Sequence, residues 1–85
     1  MSVISMFFGL IIRMYYKDHN PPHIHVEYGE WNASVDFNGK IIVGELPEPQ
    51  KKLVSAWCEI HKDELLANWS LCNSGEKPFA IKPLR

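Results

Sequence analysis

Apolar and polar residues alternate most strictly between His23 and Asn38. Ile24, Val26 and Tyr28 fall on one side of an extended segment, and His23, His25 and Glu27 on the other. A repeat of two is that of a strand with one buried face. Trp31, Ala33, Val35 and Phe37 then alternate with Asn32, Ser34, Asp36 and Asn38. Gly29-Glu30 separates the two runs and suits a type II′ hairpin turn; Asn38-Gly39, after the second run, is the strongest hairpin signal in the chain. Two-residue loops at both places predict a register. Tyr28 then opposes Trp31, Val26 opposes Ala33, Ile24 opposes Val35, Glu27 opposes Asn32, His25 opposes Ser34 and His23 opposes Asp36. On the following strand, Lys40 to Leu46, Ile42 meets Val35 and Leu46 meets Trp31. A slip of one residue would send every side chain to the wrong face.

Upstream, Val3 to Tyr16 is rich in β-branched and aromatic residues, and Gly9 marks a bulge or a break. Beyond it Leu10, Ile12, Met14 and Tyr16 share one face and Ile11, Arg13 and Tyr15 the other. The apolar run Val3 to Ile12 is well short of the ~20 residues that a membrane-spanning helix needs. Downstream, Pro47 and Pro49 end the sheet, with Pro49 suited to a first helical turn. Leu53, Val54, Trp57 and Ile60, then Leu65, Leu66 and Trp69, follow helical spacing, with a bend near His61-Lys62 and Asp63 as the cap of a second helix. Gly75 ends the helical region. The stretch from Lys77, with Pro78 and Pro83, is expected to be extended, against a sheet edge or a partner. The expected fold is α+β: a four-stranded antiparallel meander with one or two C-terminal helices packed on one face. Residues 1–85 are read as a single domain, with a sheet over 1–46, a helical region over 47–75 and an extended tail over 76–85.

Composition narrows this picture. At 46% apolar with a net charge of −1, the chain is a folded type without the basic footprint of a non-specific nucleic-acid binder. An 85-residue domain has a small core, so a partner chain or homo-oligomer would help it. Cys58 and Cys72 read as free thiols of a reducing compartment. With no secretory signal and no membrane segment, a cytoplasmic location is expected.

The polar face of the sheet collects Arg13, Tyr15, His23, His25, Glu27, Ser34 and Asp36. Leading into it, Asp18-His19-Asn20-Pro21-Pro22 is a stiff loop that holds His19 in place, and either X-Pro bond is free to be cis. Three histidines within seven residues support two kinds of chemistry. One is general acid–base catalysis by His19, His23, His25 and Asp36, with a His23–Asp36 pair fixing the tautomer and Arg13 steadying negative charge. Such a group suits metal-independent RNA cleavage, with Tyr15 stacking on a base and Glu27 and Ser34 contacting substrate; it needs no cofactor. The other is a divalent metal such as zinc on His23 and His25, with a third ligand from His19, Glu27 or Asp36. The plainer reading is a solvated polar sheet face, with Asp18 and Asn20 as turn formers and Arg13 in a cross-strand ion pair with Glu27. On that reading His61 is a surface residue, and Trp31, Trp57 and Trp69 belong to the core.

The stretches Ile4-Ser5-Met6-Phe7-Phe8-Gly9, Ile11-Ile12-Arg13-Met14-Tyr15, Asp18-His19-Asn20-Pro21-Pro22-His23-Ile24-His25-Val26 and Glu64-Leu65-Leu66-Ala67-Asn68-Trp69 resemble the domain of unknown function 4160 family. Position 24 is often phenylalanine in that family; here it is Ile24, on the expected core face. The resemblance implies a short bacterial protein, often encoded beside a small partner of the domain of unknown function 2442 family. That pairing resembles a toxin–antitoxin module with this chain on the toxin side and the antitoxin-like neighbour as its partner, RNA being the first candidate substrate. The alternatives are a non-catalytic binding module, as the antitoxin or structural half of the pair, and a small metal-binding protein.

Overall fold

The computed structural model describes residues 2–84. Five strands come first, β1 (Ser2–Phe7), β2 (Leu10–Met14), β3 (His23–Tyr28), β4 (Trp31–Asp36) and β5 (Ile41–Gly44). Two helices follow, α1 (Glu48–Ile60) and α2 (Lys62–Asn73). The strands pair in chain order as an antiparallel meander. The α+β expectation holds, with one strand more than expected. Gly9 does not bulge a long strand; it completes a full reversal. Phe8 and Gly9 have φ of 49° and 80°, the two positive values of a type I′ turn, and Phe7 opposes Leu10 across it.

The β3–β4 hairpin carries all six expected pairs, from Tyr28 opposite Trp31 to His23 opposite Asp36. Gly29 has φ of 56° while Glu30 stays out of the positive region, as a type II′ turn requires. The next hairpin departs from expectation. The Gly39 amide donates to the Asp36 carbonyl at 3.0 Å and the Asp36 amide to the Lys40 carbonyl at 2.9 Å. With Gly39 at φ 85°, this is a three-residue loop built on a type I turn and a bulge. Asp36 is the physical reason: its Oδ1 accepts from the amides of both Asn38 and Lys40 at 2.9 Å, which the wider loop alone brings together. Val35 therefore opposes Ile41, not Ile42. A second irregularity leaves Ile42 as the extra residue, and beyond it Ser34 opposes Val43 and Ala33 opposes Gly44. The strand ends there, short of Leu46, and Trp31 is 43% exposed instead of joining the core.

Both helices cover the apolar face. Leu10, Ile12, Met14, Ile24, Val26 and Val35 are closed off beneath Val54, Trp57 and Leu65. The bend falls at His61, whose amide donates to the Trp57 carbonyl and whose own carbonyl accepts from Leu65. His61, not Asp63, is the N-cap of α2, and Asp63 lies in the first turn. Nor is His61 a free surface residue: its ring packs 5.5 Å from that of Trp57 and bonds to Glu64. At the other end of α2 the Gly75 amide donates to Cys72 and the Glu76 amide to Leu71, a Schellman closure with Gly75 at φ 80°.

The tail beyond α2 lies on the β1 edge. Ile81 donates to the Ile4 carbonyl at 2.7 Å, and the buried Asn68 amide holds the Phe79 backbone through both its oxygen and its nitrogen, at 2.9 Å each. Trp57 Nε1 donates to the Lys82 carbonyl at 2.9 Å. Among the described residues no helix is long and apolar enough to cross a membrane.

Both cysteines are free and buried. Burial, reinforced by the negative charge of Asp36, pushes the Cys58 thiol up to about 12. Thiolate is the reactive form. The folded protein at neutral pH is therefore expected to leave Cys58 unlabelled by an aromatic disulfide reagent, and denatured protein to react at once. Rapid labelling of Cys58 in the native state would contradict this packing.

Candidate functional site

Tyr15 continues the line of β2, and the chain then turns back at Lys17, at φ 50°. The Lys17 amide donates to the Cys72 carbonyl at 3.2 Å, which ties this turn to the end of α2. The loop that follows contains a cis Asn20–Pro21 peptide and folds over the start of β3. Its path brings Asp18, read from the sequence as a turn former, into the middle of the histidines. Asp18 Oδ2 lies 2.9 Å from His25 Nε2 and 3.0 Å from His23 Nε2. Its other oxygen accepts from the His19 amide at 2.9 Å.

The ring of His23 is largely buried. Alternation along β3 puts it on the polar face, but the loop covers it and Trp69 packs 5.5 Å from it, leaving the side chain 8% exposed. Its Nδ1 is 2.7 Å from the Pro21 carbonyl. A carbonyl only accepts, so Nδ1 carries the proton. Nε2 then faces Asp18 Oδ2 in one of two ways: as a second donor, or as a lone pair beside a shared cation. His25 is more open, and Tyr15 stacks on it at 4.1 Å and 11°. Burial alone would raise the Asp18 carboxyl; the hydrogen bonds from His25 and the His19 amide, with the charges of His23 and His25, outweigh it and hold Asp18 below its ordinary value.

Two of the five residues expected to be catalytic, His23 and His25, thus come together at Asp18. His19 stands beside them through both its amide and its ring, the ring 91% exposed with Nδ1 at 3.2 Å from Asp18 Oδ1. The expected His23–Asp36 side-chain pair does not form. The two residues are opposite in the ladder, yet the Asp36 carboxylate holds the β4–β5 turn and Asp18 supplies the carboxylate at His23. Arg13 opposes His25 on β2 and pairs with Glu27 at 3.4 Å, the cross-strand contact anticipated for it. With this much exposure such a pair is worth ~0.2–1 kcal/mol. Arg13, Tyr15, His25, Glu27, Ser34 and Val43 line one hollow of about 250 Å³ on the open sheet face. Asp36 lies outside it.

Asp18, His23 and His25 each offer one ligand atom, and these atoms lie within 4.8 Å of one another. Ligands ~2.0–2.1 Å from a tetrahedral ion sit ~3.3 Å apart, so to seat one the two Asp–His gaps would open by a few tenths of an ångström and the wider gap between the two imidazoles would close toward the same value. Chemically, the arrangement is either a small-ion site or a carboxylate–imidazole proton relay. Asp18 was missed because alternation along a strand says nothing about a loop; its place at the head of the Asp-His-x-Pro-Pro-His-x-His stretch was the available signal.

Compared with known proteins, residues 9–70 match the family model described as Domain of unknown function (DUF4160). No curated protein and no solved structure matches the chain.

Proposed function

The chain belongs to the DUF4160 family, and we propose that it binds a divalent first-row metal ion, zinc being the first candidate, through Asp18, His23 and His25. The observation that carries this reading is the Pro21 carbonyl on His23 Nδ1. A metal-binding imidazole characteristically donates its other N–H to a carbonyl or carboxylate, which fixes the tautomer and aims the free lone pair. Here that lone pair is aimed where His25 Nε2 and Asp18 Oδ2 also converge. Two imidazoles and one carboxylate suit zinc, iron or nickel better than magnesium or calcium. Three protein ligands leave a position open, the arrangement of catalytic centres, whereas structural sites are closed by four. A substrate held in the hollow beside His25 would lie near Arg13 and Tyr15.

Titration of tag-free protein with cobalt tests it. One equivalent is expected to bind with the visible absorption of a low-coordinate site, and His25→Ala to lose it while Ser34→Ala keeps it. Absence of stoichiometric binding to the folded wild type would reject the reading.

A second reading rests on the Asp18–His25 contact of 2.9 Å alone. A carboxylate that orients an imidazole beside an arginine is the equipment of general acid–base catalysis, and RNA cleavage without a metal is the reaction it suits. In that role the chain would be the toxin-like half of a two-gene module, held inactive by its neighbour. Expression with and without the neighbouring gene tests this. Growth arrest relieved by the neighbour, lost in His25→Ala and insensitive in vitro to chelators, supports the second reading; unaffected growth in every arm removes it.

A further inference from the structure

The two edges of the sheet are not equivalent. The tail covers β1 through Ile81, whereas no backbone contact is made to the outer side of β5 among the described residues. That outer edge is apolar, with Ile42 44% and Val43 66% exposed, and a charge of opposite sign stands at either end, Lys40 before it and Glu45 after it. Open edges of this kind are templates for pairing with another strand, and proteins normally blunt them.

We propose that β5 pairs antiparallel with β5 of a second copy across a two-fold axis at Val43. The extra residue at Ile42 is what makes the edge self-complementary. Lys40 opposes Asp36, Val43 opposes Ser34, and the Glu45 amide donates to the Asn32 carbonyl at 3.0 Å. Asn32, Ser34 and Asp36 alternate on one face of β4, so Lys40, Val43 and Glu45 also share a face. Without the extra residue, Lys40 and Glu45 would point to opposite faces. With Val43 on the axis, Val43 meets Val43 as a non-hydrogen-bonded pair. Gly44 of each copy faces the Ile41–Ile42 bulge of the other, where the backbone groups point outward, and forms the hydrogen-bonded pairs there on either side. Each Glu45 then stands opposite Lys40 of the second copy, twice over. The covered β1 edge stops the association at two copies, giving a closed isologous dimer and no growing sheet. Val43 also lines the hollow beside His25, so the second copy extends the wall of that hollow.

Sedimentation velocity over a concentration series tests the proposal on the whole chain. The wild type is expected to be a dimer at high concentration. Val43→Lys, which sets two cations on the axis, is expected to be a folded monomer whose melting temperature matches that of wild type diluted below its dimer range, since this side chain lies outside the core. Lys40→Glu and Glu45→Lys are each expected to weaken the dimer at least tenfold, and the double exchange to restore it. A wild type that stays monomeric throughout, a dimer that survives Val43→Lys, or a double exchange that rescues nothing would overturn it.

Discussion

Asp18→Asn is expected to weaken cobalt or zinc binding by about 100-fold or more, and Asp36→Asn to leave it within a factor of about two, given that loss of even a supporting group outside the ligand set costs 10–100-fold. The contrast matters because both residues are acidic neighbours of His23, one in space and one in the ladder. Asparagine at 18 keeps the size and an accepting oxygen, so the His19 amide keeps its bond; what goes is the negative charge between two imidazoles. Asparagine at 36 keeps an acceptor for the Asn38 and Lys40 amides and touches nothing at the site. Competition against a chromophoric chelator measures both. Equal losses in the two variants would mean that the ion, if bound, sits elsewhere.

The second large effect is on stability. Trp57→Ala is expected to cost ~3–5 kcal/mol, as removal of a fully buried aromatic side chain does. Against a total of ~5–15 kcal/mol for a natural domain, this leaves a chain of this size close to unfolding. Trp57 is 0% exposed, packs 5.5 Å from Phe7, and holds the Lys82 carbonyl. Trp57→Phe separates these contributions. It keeps most of the packing and removes the N–H, so it is expected to cost ~1–3 kcal/mol and to release the tail first. Urea unfolding gives the energies, and amide exchange at Ile81 reports the tail. A loss below ~1 kcal/mol for Trp57→Ala would show that α1 does not seat on the sheet as described.

Where the sequence could be read, two constraints agreed. Six β3–β4 pairs followed from a turn of known length and an alternation that admits one register. The β4–β5 hairpin had the same kind of signal but a different outcome, because the Asp36 side chain competes for the loop's amides and selects a longer turn. Trp31 failed for a related reason: β5 ends before it can be covered. In the site, the strand histidines were legible because a strand fixes where its side chains point. Asp18 was not, since its direction depends on the path of a loop, which alternation along a strand does not fix. Asn68 was a quieter omission; a polar residue in a helical run gives no sign that it will hold a strand-like tail by two hydrogen bonds.

A single carboxylate serving three histidines has a consequence for how this chain can change. Asp18 contacts the rings of His23 and His25 and both the amide and ring of His19. Substitutions at these four positions will not add: once Asp18 is gone, losing His25 as well removes little more, and the coupling shows as strong epistasis in a double-mutant cycle. Drift at these positions is thereby constrained to all or none. A lineage abandoning the site would be expected to lose Asp18 and the histidines together, while the Arg13–Glu27 pair, which has no share in that carboxylate, varies on its own schedule.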